Sequence, residues 1–211
     1  NGNSRRFWAN DHPYKDFEAS TVSVYRTMED FTFRKYIYVS SSDVYKYRDA
    51  GLDDWRETVV IEPRRLFPYG LHKYLSEQIL QNRVPNLLIL RSSLILGRSL
   101  KKGPVYDIIH GNPLFITCDS RLQMITTKAV AELITVLLDR GSTNEVFNMG
   151  GRGTFDFKDA KRYFGRNPVV AASAGRQHYE MNVEKLNSFY ALKSSPEYLA
   201  DFLEHHATAQ N

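Results

Sequence analysis

The chain has 211 residues, with 28 Lys plus Arg against 24 Asp plus Glu, a formal charge of +4 and a pI near 9.1. Hydrophobic residues make up 42% and charged residues 25%, which excludes an intrinsically disordered chain; 12 glycines and 8 prolines are too few for a collagen-like or linker protein. A chain this long buries roughly 70% of the surface its unfolded form exposes, so one large domain or two small ones stand without staples.

The one cysteine, Cys118, excludes an intrachain disulfide and a Cys-based zinc cluster. It favours a reducing compartment, and a cytoplasmic location is expected. No apolar run approaches the ~18 residues of a membrane helix, so no membrane partner is expected. Residues 1–12 are polar and carry no signal peptide pattern. The basic pI points to an anionic partner. The basic residues are dispersed as pairs (Arg5-Arg6, Arg34-Lys35, Arg64-Arg65, Lys101-Lys102, Lys161-Arg162), which argues against a nucleic-acid surface. A phosphate-bearing small molecule needs only one or two such charges.

In chain order, 14–30 reads as a helix, with Phe17, Thr21, Val24 and Met28 on one face. Residues 36–39 form a short apolar run rich in β-formers that ends in Ser40-Ser41-Ser42, the pattern of a buried parallel strand. Polar 45–67, with Pro63, reads as a long loop. Leu71, Leu75 and Ile79 place a helix over 69–82. A second buried strand is expected at 87–90, a further apolar run reaches Leu96, and 97–104 is a loop. A short helix at 105–110, a strand at 114–117, a strong helix at 129–138 and a third buried strand at 146–149 follow. Gly150-Gly151-Arg152-Gly153 reads as a turn before a helix at 156–164. Ser195 as N-cap with Pro196 opens a final helix. This alternation predicts an α/β fold with a parallel sheet.

Two features carry chemistry. Ser40, Ser41, Ser42 and Asp43 stand at the carboxyl end of a buried strand, where open α/β sheets bind ligands. Tyr69-Gly70-Leu71-His72-Lys73 opens the next helix, with Tyr69 and Lys73 one turn apart on one face. A phenol titrates near 10 and is a poor base at neutral pH. A nearby ammonium lowers that value, so that Tyr69 exchanges a proton with a substrate hydroxyl. A strand-end hydroxyl would bind the same oxygen. Taken singly, a Tyr-x-x-x-Lys match arises by chance, and a strand-end Ser commonly caps the following segment.

Together these segments resemble the extended short-chain dehydrogenases/reductases, the NAD-dependent epimerase/dehydratase family, which act largely on nucleotide-sugars. The resemblance runs over 14–204. Residues 39–45 are similar to the family's Val-Ser-Ser-x-x-Val-Tyr segment, and Tyr69 and Lys73 match its catalytic Tyr and Lys. Ile89-Leu90-Arg91, Gly111-Asn112-Pro113-Leu114 and 145–150 resemble later family segments. The resemblance implies a doubly wound, Rossmann-like parallel sheet with a small mixed α/β substrate domain. It implies Ser41, Tyr69 and Lys73 as catalytic residues, Tyr69 as general acid/base, and Lys73 holding the nicotinamide ribose. Ser40, Tyr69 and Lys73 would contact NAD or NADP, and Ser42, Asp43, Ser93 and Arg121 the nucleotide-sugar. No metal is expected. A homodimer through the helices at 14–30 and 69–82 is a further implication.

The family's opening strand and Gly-x-x-Gly-x-x-Gly turn have no counterpart upstream of Tyr14. About two βα units, roughly 60 residues, are expected to be missing. Ser23 and Arg26 replace a family Asn and Gly, and Lys128-Ala129 replaces a pair of acids. These departures keep open an alternative, a non-catalytic or regulatory relative that retains the scaffold. The implied domains are 1–96 with 127–149 returning to it (nucleotide-binding), and 97–126 with 150–211 (substrate-binding). His72 is expected to be a spacer and Glu57 to be solvated; a bidentate pyrophosphate clamp by Arg91 or Arg121 is one reading, and ordinary surface or ion-pair roles are the favoured one.

Overall fold

A computed structural model describes residues 5–47 and 55–208. In chain order, α1 (Arg6–Asp11) and α2 (Pro13–Phe17) lead through a π-helical turn (Glu18–Val22) into α3 (Ser23–Asp30). Strand β1 (Tyr36–Ser41), a 3₁₀ turn (Ser42–Tyr45), α4 (Pro68–Arg83) and β2 (Leu87–Ser92) follow. Next come β3 (Leu94–Leu96), α5 (Pro104–His110), β4 (Leu114–Ile116), β5 (Arg121–Leu122), β6 (Met124–Thr126), α6 (Thr127–Asp139) and β7 (Glu145–Met149). Last are β8 (Phe155–Asp156), α7 (Ala160–Phe164), β9 (Val170–Gly175), β10 (His178–Tyr179), α8 (Glu184–Asn187) and α9 (Ser195–Thr208).

The chain divides into two compact units, Asn1–Ser92 with Leu137–Asn148, and Ser93–Val136 with Met149–Asn211. In the first, β1, β2 and β7 form a sheet in that order. β1 and β2 run parallel in unbroken register from Tyr36↔Leu87 to Ser41↔Ser92. Every residue of β2 is buried, as expected of an inner parallel strand. Val24, Tyr38, Leu80, Val84, Leu87 and Ile89 form the core between this sheet and the helices α3 and α4. The expected helix at 14–30 is present, but its α-helical ladder is interrupted by the π turn, which the periodicity did not reveal.

The second unit is built from small sheets, β10-β5-β8, β3-β6 and β4-β9, over a core that includes Phe155, Phe157, Met124, Leu199 and Phe202. Thr126 Oγ1 accepts from the Ala129 amide at 3.3 Å, so α6 is capped without the family's acids. Gly151 has a structural purpose: a Cβ there would stand 2.6 Å from the Met124 carbonyl oxygen and 2.8 Å from the Ser195 amide. The architecture is the expected α/β class with parallel strand pairs. Of the expected loop at 45–67, residues 48–54 lie outside the described residues; Pro63–Arg65 forms a 3₁₀ turn.

Candidate active site

The strand β1 ends at Ser41, whose extended backbone turns directly into the 3₁₀ segment. Ser41 Oγ accepts from the Asp43 amide at 3.2 Å and donates to Asp43 Oδ2 at 3.1 Å. The capping role open to any strand-end serine is therefore filled here. The same hydroxyl lies on the Tyr69 phenol's side of the turn and acts to favour its ionised form.

Tyr69 reaches that position because α4 starts with Pro68 at its first turn, where the missing N–H costs nothing. The first-turn amide of Tyr69, which has no partner within the helix, donates to Asn10 Oδ1 at 3.1 Å. Gly70 lets the helix approach the 3₁₀ turn, since a Cβ there would collide with the Asp43 carbonyl oxygen. One turn on, the Lys73 ammonium lies 5.9 Å from the Tyr69 ring centroid and 5.4 Å from that of Tyr38. Ser41, Tyr69 and Lys73 are thus brought together, all buried.

The electrostatics differ from the simple expectation. Burial and the Asp43 carboxylate push the Tyr69 phenol well above its ordinary range, against the influence of the Ser41 hydroxyl and the Arg6 charge. Tyr69 stands as a protonated acid. Burial also lowers Lys73, while Asp16 and Glu77 favour its charged form. Arg6 approaches Asp43 at 3.5 Å. Lys46 is lowered by burial and by Arg6.

The other expected residues fall elsewhere. Ser40 points to α4 and donates to Glu77 Oε1 at 2.5 Å. Ser42 is buried in the first turn of the 3₁₀ segment. Ser93 and Arg121 belong to the second unit, where the Ser93 amide donates to the Met149 carbonyl at 2.9 Å. Arg121 is half-exposed beside Asp156 at 3.2 Å.

Arg91 takes the ion-pair role: its guanidinium binds Glu77 at 2.7 and 3.2 Å and Tyr45 at 2.7 Å, and Glu77 holds its charge firmly against burial. Two expectations are corrected. Glu57 is not merely solvated, because its carboxylate accepts from the Asn148 amide at 2.8 Å. His72 is not a spacer: its Nδ1 lies 2.7 Å from the buried carboxylate of Asp16. No local pattern marks Asp16, Asn10 or Arg6; each meets the site through a partner dozens of residues away. Among the described residues no group of His, Cys, Asp or Glu is arranged to hold a metal ion, and no helix is long and apolar enough to cross a membrane.

No protein-family model matches the chain, and no curated protein does. Solved structures resemble it over nearly its whole length. UDP-glucose 4-epimerase of Thermotoga maritima, solved with UDP-glucose, gives a TM-score of 0.78 at 16% identity, covering 100% of this chain and 76% of that one. dTDP-glucose 4,6-dehydratase of Streptomyces venezuelae, solved with NAD, gives 0.76 at 16% identity over 100% and 72%. UDP-glucuronic acid 4-epimerase of Bacillus cereus, solved with its namesake sugar and NAD, gives 0.72 at 16% identity over 96% and 72%. At this identity the likeness establishes the fold: the chain has the Rossmann-like α/β architecture of these epimerase and dehydratase structures.

Proposed function

We propose that the chain belongs to an NAD(P)-dependent epimerase, dehydratase or reductase acting on a nucleotide-sugar. The observation that carries this reading is the convergence of Ser41, Tyr69 and Lys73, from a strand end and a helix start, in one buried cluster. The fold shared with nucleotide-sugar epimerases and dehydratases supports it.

The donor set suits a nicotinamide dinucleotide. Lys73 offers three N–H donors from a buried ammonium, suited to sugar hydroxyls. A nicotinamide ring, when bound, supplies the acceptor or donor of hydride, and the protein supplies position and protons. Ser41 would hold the substrate oxygen. Tyr69, protonated in the cofactor-free chain, would deliver its proton to that oxygen as hydride reaches the adjoining carbon. In the reverse direction the same phenol must be driven to release its proton. The Ser41 hydroxyl and the Arg6 charge are the groups that act toward the phenolate. The roles of Ser42, Asp43, Ser93 and Arg121 in holding the nucleotide-sugar, the division into cofactor and substrate domains, the cytoplasmic setting and a homodimer through the helices of 14–30 and 69–82 are parts of the same proposal.

The test is incubation with NAD or NADP and a panel of UDP- and dTDP-hexoses, with products resolved by NMR. Turnover that Tyr69→Phe abolishes supports the reading. Turnover that survives in Tyr69→Phe contradicts it.

A further inference from the structure

Strand β1 carries Tyr38 and Ser40 on one face, two residues apart, and α4 carries Lys73 and Glu77 on one face, four residues apart. The two faces meet. Ser40 donates to Glu77 Oε1 at 2.5 Å. Tyr38 has the corresponding place against Lys73, whose ammonium lies 5.4 Å from the Tyr38 ring centroid. The same ammonium lies 5.9 Å from the Tyr69 centroid. Both distances fall within the roughly 6 Å over which a ring face attracts a cation.

The Tyr38 ring is fixed by its neighbours. It is buried in the core formed with Val24, Leu80, Val84, Leu87 and Ile89, where close packing leaves a ring little room to move. Burial keeps its phenol protonated, so a neutral ring faces the ammonium. Lys73 is buried as well, and burial disfavours its charge. Two carboxylates favour that charge, Asp16 of α2 and Glu77 of α4. Each has partners of its own. Glu77 binds Arg91 at 2.7 Å and Ser40, and Asp16 accepts from Ser20 Oγ at 3.2 Å and lies 2.7 Å from His72 Nδ1. Among the described residues, the ammonium itself meets the two ring faces.

We propose that Tyr38 is a positioning residue for Lys73: its fixed ring, together with that of Tyr69, forms an aromatic cradle that keeps the ammonium charged and in place beside the phenol. The proposal rests on reading Lys73 as a residue of the active site. An aliphatic side chain would fill the same core but has no ring quadrupole to offer a cation. A ring face also holds the charge without a directed bond to an oxygen acceptor, which suits an ammonium whose N–H donors are to meet ligand hydroxyls.

The test replaces Tyr38 by Phe and by phenylalanines carrying one, two and three ring fluorines. Fluorine withdraws electron density from the ring face at nearly constant size. NMR of the cofactor-free full chain carrying ¹³C- and ¹⁵N-lysine follows the titration of Lys73, with its signal assigned through Lys73→Arg. Tyr38→Phe is expected to leave the Lys73 midpoint unchanged. The fluorinated series is expected to lower it stepwise, by about one pH unit in all, a tenfold loss of proton affinity. Tyr38→Leu is expected to lower it at least as far. Circular dichroism of each variant reports its fold; if Tyr38→Leu does not fold, the fluorinated series decides alone. A midpoint that stays flat across the fluorinated series overturns the proposal. Failure of the active-site reading shows up separately, as absence of nicotinamide binding by the unsubstituted chain, because this titration uses no cofactor.

Discussion

The Lys73 ammonium stands 5.9 Å from the ring centroid of Tyr69, one helical turn away on α4, and the Ser41 hydroxyl acts on the same phenol. The three groups are anchored by different means. Ser41 is fixed by its cap on Asp43, Tyr69 by Asn10 and the close approach at Gly70, and Lys73 by the buried wall of α2 and β1. This preorganisation leaves each side chain replaceable without loss of the others' supports.

Tyr69→Phe is accordingly expected to keep the fold and lose about 10²–10⁴ in turnover, the ordinary worth of a positioned acid/base. The check is kcat with a hexose found to turn over, beside a thermal melt that stays within a few degrees of wild type. Equal activity in the two proteins would remove Tyr69 from the mechanism.

Glu77→Ala is expected to destabilise the first unit by about 3–5 kcal/mol, since it leaves the Arg91 charge buried without its carboxylate and frees Ser40 Oγ. Urea unfolding measures this. A loss under 1 kcal/mol would show that the Tyr45 contact to Arg91 suffices alone.

Stability is expected to fall as the pH rises above 10. Burial is the largest cause in holding Tyr38, Tyr45 and Tyr69 protonated, with Tyr45 pushed up to about 12. A group raised in the folded state stabilises fully below its unfolded value of 10.0 and loses that contribution as pH climbs through the folded value. Lys73, lowered by burial, acts oppositely below 10.5, where stability rises with pH. Above 10.5 the lysine contribution is complete while the tyrosine loss continues, so the balance is a loss. Melting temperatures at pH 8, 10 and 11 check the sign, and ionisation at 295 nm that coincides with unfolding assigns it to these phenols.

Gly70→Ala is expected to cost about 1–3 kcal/mol, because the added methyl meets the Asp43 backbone carbonyl rather than a movable side chain. It should also pull the first turn of α4 from the 3₁₀ turn and weaken any ligand held by Ser41 and Tyr69. A melt and a binding isotherm on the same variant test both. An unshifted melt would mean that the turn yields freely.

Much of this was legible in the residues. Apolar runs at 36–39, 87–90 and 146–149 marked β1, β2 and β7, because buried parallel strands need little else. The spacing of Tyr69 and Lys73 placed them on one helical face. Short strands such as β5, β8 and β10, two residues each, lack the length for any alternation. The Asp16–His72 contact spans 56 residues, so nothing local announces it. The partner of Arg91 was not legible, because a sequence does not show that Glu77 faces it across the sheet–helix interface.

The central claim is that this cluster holds a nicotinamide dinucleotide. Titration of the full chain with NADH and with NADPH, reading energy transfer from Trp8 and Trp55 to the nicotinamide, tests it most directly. Saturable transfer that weakens in Lys73→Met, with the fold retained, is the expected result. A linear, unsaturable signal for both nucleotides in the folded chain would contradict it.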